Sequence, residues 1–210
     1  ILNEDRLDAI TPIVRSLNNP NIQLMKGTGI YPTGVPGFEW GVFCCFDSKA
    51  WPDLKPSGEN VSIAAFHGPV NGSLTDQDWE INGDSVKVDF FKDFDYTMLG
   101  DIHKRQFFTP KIAYPGSTIQ QNHGETNDKG ILIWEIESKD EWNIEPIVFK
   151  NPKPFITIEL TRKGRMPKNI SIPNGARLRL VSNNNLPLDT MKRAVDIAKH
   201  RFKPESISFL

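Results

Sequence analysis

The chain has 210 residues, 38% of them hydrophobic and 24% charged, with 25 Lys+Arg against 26 Asp+Glu and a formal net charge of -1. That balance suits a globular protein with one sizeable core, or one domain and a smaller companion. No apolar run approaches the roughly 18 residues of a membrane span, no repeat period suggests a solenoid or propeller, and 13 Phe with 5 Trp argue against wholesale disorder. The near-neutral total hides an asymmetry. Residues 151–210 carry 12 Lys+Arg and 4 Asp+Glu, a net of +8, so the preceding 150 carry -9. A basic segment favours a polyanion, and acidic residues can hold divalent cations, although a solvated face on each half explains the charges equally well.

Leu7, Ile10, Ile13, Val14 and Leu17 have helical spacing, with Thr11-Pro12 placed to cap a helical segment. Asn18–Asn21 ends that pattern. A short strand is expected over Ile22–Met25, then a Gly/Pro-rich loop from Gly27 to Gly37. Trp40–Phe46 reads as a buried strand that includes the adjacent Cys44 and Cys45. Neighbours in a strand face opposite ways, so these two cysteines are not expected to bridge, and a reducing cytosol is the expected compartment. After a loop over 47–60 come three apolar strands: Val61–Phe66, Asp95–Gly100 and Lys111–Tyr114. Ile131–Ile136 and Ile144–Phe149 look like a hairpin pair. Asn151-Pro152-Lys153-Pro154 is the best linker. Beyond it the pattern predicts strands at Phe155–Leu160 and Ala176–Ser182. A helix over Leu188–Phe202 follows, with Leu188, Met191, Val195, Ala198 and Phe202 on one side, and Ser206–Leu210 reads as a further strand.

Candidate chemistry sits at the ends of strands. His67 directly follows Val61–Phe66, and Asp101 and His103 directly follow Asp95–Gly100. Loops at the carboxyl ends of sheet strands are where active sites are built. Imidazole plus carboxylate is the ligand mix expected for manganese, iron or zinc, whereas a calcium site would need no histidine. Lys104 and Arg105 are placed to reach substrate phosphates, with ordinary solvation the equal alternative. His123 is expected to pack at the surface, and His200 to be a helix-end residue.

Leu99–Gln106, followed by Ala113–Asn122 and Gly124-Glu125, resembles the calcineurin-like metallophosphoesterases. Within them it is most similar to the SbcD-type DNA repair and recombination nucleases, including the phage-like subgroup. Phe66-His67-Gly68-Pro69-Val70 matches the family's upstream strand-His motif. Leu7–Val14 resembles the helix that follows its Gly-Asn-His-Asp motif. The resemblance implies an α+β fold of αββα type. Residues 1–150 would be the C-terminal part of a metallophosphoesterase β-sandwich flanked by helices, and residues 151–210 a small basic α+β capping module.

The same resemblance implies two divalent metal ions, manganese foremost, with His67, Asp101 and His103 as ligands. Asp101 stands where the family's Gly-His-x-His motif has its first histidine. Gly116 and Ser117 match the loop near the site, where backbone, together with Lys104, would face a phosphate. The early Asp-x-His, Gly-Asp-x-x-Asp and Gly-Asn-His-Asp motifs would lie before Ile1, so the chain reads as a fragment without a catalytic residue of its own and inactive alone. The implied activity of the intact protein is metal-dependent hydrolysis of DNA phosphodiesters. Its implied partners are DNA, an SbcC-type ATPase subunit and a second copy of the nuclease domain. Arg162, Lys163, Arg165, Arg177 and Arg179 would hold the DNA backbone. The alternatives are an enzyme for small phosphate esters or cyclic nucleotides, and a catalytically dead scaffold that docks the ATPase.

Overall fold

The computed structural model describes residues 10–210, so Leu7 and the rest of the first turn expected there lie outside the described residues. The protein is a mixed α+β structure with several sheets and few helices. It divides into two compact units. One takes in the chain up to Thr75, Trp79–Gly116 and Trp134–Ile144; the other takes in Asp76–Asp78, Ser117–Ile133 and Glu145–Leu210.

The first unit opens with helix α1 (Ile10–Leu17) and is built on a six-stranded sheet. Its strands are β1 (Gly29–Pro32), β2 (Phe38–Phe43), β3 (Val61–His67), β4 (Tyr96–Gly100), β5 (Gln106–Thr109) and β6 (Ile112–Tyr114). The order is β1-β2-β3-β4-β6-β5. Strands β2, β3, β4 and β6 run parallel, and the edges β1 and β5 are antiparallel to their neighbours. Buried residues on β3 fall on both of its faces, as its near-continuous apolar run requires. An aromatic cluster fills the core. The Phe43 ring lies 5.3–6.5 Å from those of Trp51, Phe66, Phe90, Phe91 and Phe94. Phe94 packs so tightly over β2 that a Cβ at Gly41 would stand 2.2 Å from its ring. Burying each such ring contributes about 1.5–3 kcal/mol. Tyr96 is fully buried between the edges of Trp134 and Trp142, and its hydroxyl donates to the Ser138 carbonyl at 2.7 Å.

Four local expectations are corrected. Ile22–Met25 forms no strand; the chain pairs only from Gly29, along β2. Thr28 sets that start, because its amide donates to Asp47 and its hydroxyl accepts from the Cys44 amide. Pro32 is tolerated because β1 is an edge strand. Cys44 and Cys45 lie beyond the end of β2, both as free thiols. The Cys44 backbone serves the turn, its carbonyl accepting from Trp51 Nε1 at 2.8 Å and from the Asp47 amide at 3.1 Å. The loop over 47–60 contains a short 3-10 helix, Ser48–Asp53. Finally, β5 was not foreseen, since its polar Gln106 and lack of alternation hide an edge strand.

Strands β7 (Gly130–Ile136) and β8 (Trp142–Val148) pair as expected in a two-stranded sheet. The second unit contains β9 (Phe155–Glu159), β10 (Arg177–Val181) and β11 (Ser206–Phe209), a parallel sheet of order β11-β10-β9. Helix α2 spans Leu188–Phe202, the predicted range, and crosses from β10 to β11. Met191, Ala194, Ala198 and Phe202 are buried against Ile158, Leu160, Leu178 and Leu180. Leu188, expected on this face, is 55% exposed because it stands at the very start of the helix, a turn short of the packed stripe. Lys199, His200 and Arg201 occupy the last turn, where positive charge complements the helix dipole. Lys203, in the left-handed conformation at φ +45°, ends the helix by donating its amide to the Lys199 carbonyl.

Candidate functional site

Parallel strands align their carboxyl ends, and β3, β4 and β6 do so here. His67 is the last residue of β3 and pairs in register with Gly100, the last residue of β4. The imidazole lies over Gly100: a Cβ there would stand 2.9 Å from His67 Cδ2. Glycine at 100 therefore makes room for the His67 ring, and Asp101 follows at once. The register thus brings His67 and Asp101 to one edge of the sheet. His67 and Asp101 are exposed, and His103 is half-buried.

Asp101 has φ +96°, a backbone region that side chains with a Cβ rarely adopt. Such strain typically costs about 1–3 kcal/mol and clusters at functional sites. Ile102 anchors the segment by packing against the aromatic core, with Asp101 and His103 on either side of it.

The end of β6 braces these loops. Tyr114 is fully buried and its hydroxyl donates to the Gly68 carbonyl at 2.7 Å, while the Gly68 amide donates to the Gly100 carbonyl at 3.2 Å. Gly68, the residue after His67, is therefore tied both to β4 and to β6. Burial, with the charge of Asp101 adding to it, pushes the Tyr114 phenol well above its ordinary value of 10.0, so it stays a donor. Gly116 has φ +80°, and a Cβ on it would stand 2.7 Å from the His103 carbonyl and 3.0 Å from the Arg105 amide. Only glycine lets this loop lie against the backbone of the His103 segment.

Lys104 is half-buried, and its carbonyl accepts from Gln106 Nε2 at 3.1 Å. Gln106 also grips Leu74 twice, accepting from its amide at 2.8 Å and donating to its carbonyl at 2.9 Å. The Ser117 carbonyl accepts from the Gly130 amide at 3.1 Å, and its buried hydroxyl has no hydrogen-bond partner among the described residues. Ser117 belongs to the second compact unit, and the other five predicted site residues to the first.

The residue types at 67, 101 and 103 suit a divalent transition-type ion. Among the described residues, however, no three His, Cys, Asp or Glu side chains form a group able to hold a metal ion. No helix among them is long and apolar enough to cross a membrane.

Three features were missed from sequence. The first is Tyr114 as a brace, which shows only once β6 is paired. The second is Glu39, a carboxylate 4% exposed on β2 that accepts from the Ser57 amide at 2.7 Å and Asn60 Nδ2 at 3.1 Å. Burial works against its charge, but these bonds and the charge of Lys139 outweigh it and hold the carboxyl below its ordinary 4.5. The third is a buried ion cluster in the second unit. Lys129 donates to both Asp76 oxygens at 2.8 and 2.9 Å and lies 3.7 Å from Glu125, all three side chains being 5–6% exposed. The spacing of four between Glu125 and Lys129 was the available signal. His123 packs as expected, its ring edge-on to Phe155 at 5.0 Å.

No model of a known protein family matches the chain. It is similar to a protein of Acanthamoeba polyphaga mimivirus named "Uncharacterized protein R555", with 31% identity over 196 residues. The match covers 87% of this chain and 14% of that protein, so the chain spans about one seventh of the relative's length.

Proposed function

We propose that the chain contributes part of the active site of a metal-dependent phosphodiesterase of the SbcD type, acting on DNA. One observation carries the reading: the parallel ends of β3 and β4 set His67 and Asp101 side by side, and the end of β6 braces the loops that carry them and His103. Ligand-bearing loops at carboxyl strand ends are the recurrent design of sheet enzymes.

His67, Asp101 and His103 would be the ligands this chain offers, and the remaining donors of a two-metal site would come from outside residues 10–210. Divalent ions, when bound, polarise a phosphodiester and make water acidic enough to attack near neutral pH. The work of this chain is positional. Gly100 leaves space for the His67 ring, Tyr114 fixes the turn behind it, and Gly116 lets its loop lie against the His103 backbone. Lys104, on the same loop, would neutralise substrate phosphate. Manganese is the expected metal, and an SbcC-type ATPase and a second nuclease subunit are the expected partners.

The test is manganese-dependent cleavage of linear duplex DNA by the natural protein that carries this chain. His103→Ala is expected to reduce the rate at least about 100-fold, as befits loss of a metal ligand. Cleavage that survives both His67→Ala and His103→Ala would refute the assignment.

A further inference from the structure

Trp79 departs from the pattern of the other tryptophans. Trp40, Trp51, Trp134 and Trp142 are half-buried, whereas Trp79 is 73% exposed. Its ring has no aromatic or hydrogen-bond partner among the described residues. Large apolar side chains do stand singly at surfaces, so exposure alone decides nothing. What sets Trp79 apart is how firmly its backbone is held. It lies on a hairpin that leaves the sheet just after His67. At the root, fully buried Val70 bridges Val86. The Gly72 amide then donates to the Ile81 carbonyl at 2.9 Å, and the Ile81 amide to the Ser73 carbonyl at 2.8 Å. Leu74 bridges Glu80, and Gln106 grips both backbone groups of Leu74. At the tip, Asp78 turns the chain with φ +60°. The Thr75 amide donates to the Trp79 carbonyl at 2.9 Å, and the Trp79 amide donates to the Thr75 hydroxyl at 3.2 Å. Both backbone groups of Trp79 are therefore used, and the indole is left in water on a braced arm. A side chain presented this way has little backbone order left to lose on binding.

The charge beside the indole selects the partner. Residues 78–84 hold three exposed carboxylates, Asp78, Glu80 and Asp84, and no Lys or Arg. Glu80 and Asp84 form no ion pair among the described residues. A field of that sign repels nucleic-acid phosphates and anionic lipid headgroups. It attracts a cation, and the indole face is the best aromatic surface for one. A guanidinium uses both features: its plane stacks on the ring, and its fork of donors pairs with carboxylate oxygens. Trp and Arg are also the side chains that most often dominate the energy of contacts between proteins.

We infer that the tip of this hairpin is a docking site for an arginine-bearing segment of a partner protein, with a guanidinium stacked on Trp79 and counter-charge supplied by the carboxylates of residues 78–84. The inference does not depend on the phosphodiesterase reading.

The test is fluorescence anisotropy of a fluorescein-labelled peptide of alternating arginine and glycine, titrated with the full chain beside its lysine counterpart. The arginine peptide is expected to bind about threefold tighter or better, because an ammonium group cannot stack as a plane. Trp79→Ser is expected to weaken its binding about tenfold, and Trp79→Phe, which keeps a ring, by about threefold or less. With the side chain exposed, both variants should melt within about 2 °C of the wild type. Glu80→Gln is expected to cost about fivefold in affinity. Asp140→Asn, the same charge lost from the exposed turn between β7 and β8, should change it less than about twofold. Wild-type affinity in Trp79→Ser, or equal losses from Glu80→Gln and Asp140→Asn, would overturn the inference. So would failure of the arginine peptide to bind at all. Sedimentation velocity and a labelled single-stranded oligonucleotide separate the other occupants. A wild-type dimer that Trp79→Ser dissolves would replace the partner with a second copy of this chain. An oligonucleotide bound by the wild type and lost in Trp79→Ser would replace it with a stacked base.

Discussion

Asp101 offers a direct test of whether the strand-end site holds strain. Its φ of +96° is available to glycine without penalty, and its side chain is exposed, so truncation removes no buried contact. Relief of the strain should return about 1–3 kcal/mol. Glycine loses about 0.5–1 kcal/mol more backbone entropy on folding than a residue with a Cβ. The net expectation for Asp101→Gly is a gain of about 1 kcal/mol, or about 2–4 °C in melting temperature for a chain of this size. Asp101→Ala removes the carboxylate but keeps the Cβ, so it should gain nothing. All five tryptophans, at 40, 51, 79, 134 and 142, belong to the first unit. Thermal unfolding followed by tryptophan fluorescence therefore reports on that unit. Both variants should lose whatever manganese affinity the wild-type chain shows, so stability and metal binding would move in opposite directions for glycine. An Asp101→Gly protein that melts no higher than Asp101→Ala would refute the argument that the backbone is strained there.

In the second unit, Lys129→Met should destabilise by about 3–5 kcal/mol, because it leaves Asp76 and Glu125 buried without their cation. Hydrogen exchange of the β9 and β10 amides measures this, and Lys129→Met combined with Asp76→Leu should recover part of the loss. A pH-sensitive element of the same unit is His123, whose basicity is lowered by burial and then by Arg179. The unfolded chain then takes up the proton more readily, so stability is complete above the ordinary value of 6.5 and falls as pH drops below it. Urea unfolding of the wild type and of His123→Phe at pH 7.5 and 5.5, read by the same amides, should show a pH-dependent loss only in the wild type.

How much of this was readable beforehand depended on the kind of force involved. Helix α2 was legible to the residue because its apolar stripe, basic last turn and following strand all point to one solution. Strands β3, β4 and β6 were legible because parallel strands covered on both faces show as continuous apolar runs. The edge strands of the six-stranded sheet were not: Ile22–Met25 looks more strand-like than Gly29–Pro32, yet side-chain bonds from Thr28 place the pairing later. The candidate site residues were chosen from their position after strands and from resemblance to a family, and the structure brings His67 and Asp101 to adjacent strand ends. The positive φ of Asp101 and the brace from Tyr114 have no signature in residue order, since each arises from pairing between segments distant in the chain.

His67 and Asp101 are not placed by hydrogen bonds to their own side chains in the contacts described above. They are placed by the register of His67 with Gly100, by the Gly68 amide on Gly100, by Tyr114 on the Gly68 carbonyl, and by Ile102 in the core. Every one of these constraints acts through backbone or through a neighbouring residue. The side chains at the strand ends can therefore be exchanged with little effect on the fold, so long as the two glycines at 100 and 116 keep their space. The scaffold thus specifies where the side chain at 101 stands, and leaves its chemistry to be chosen separately.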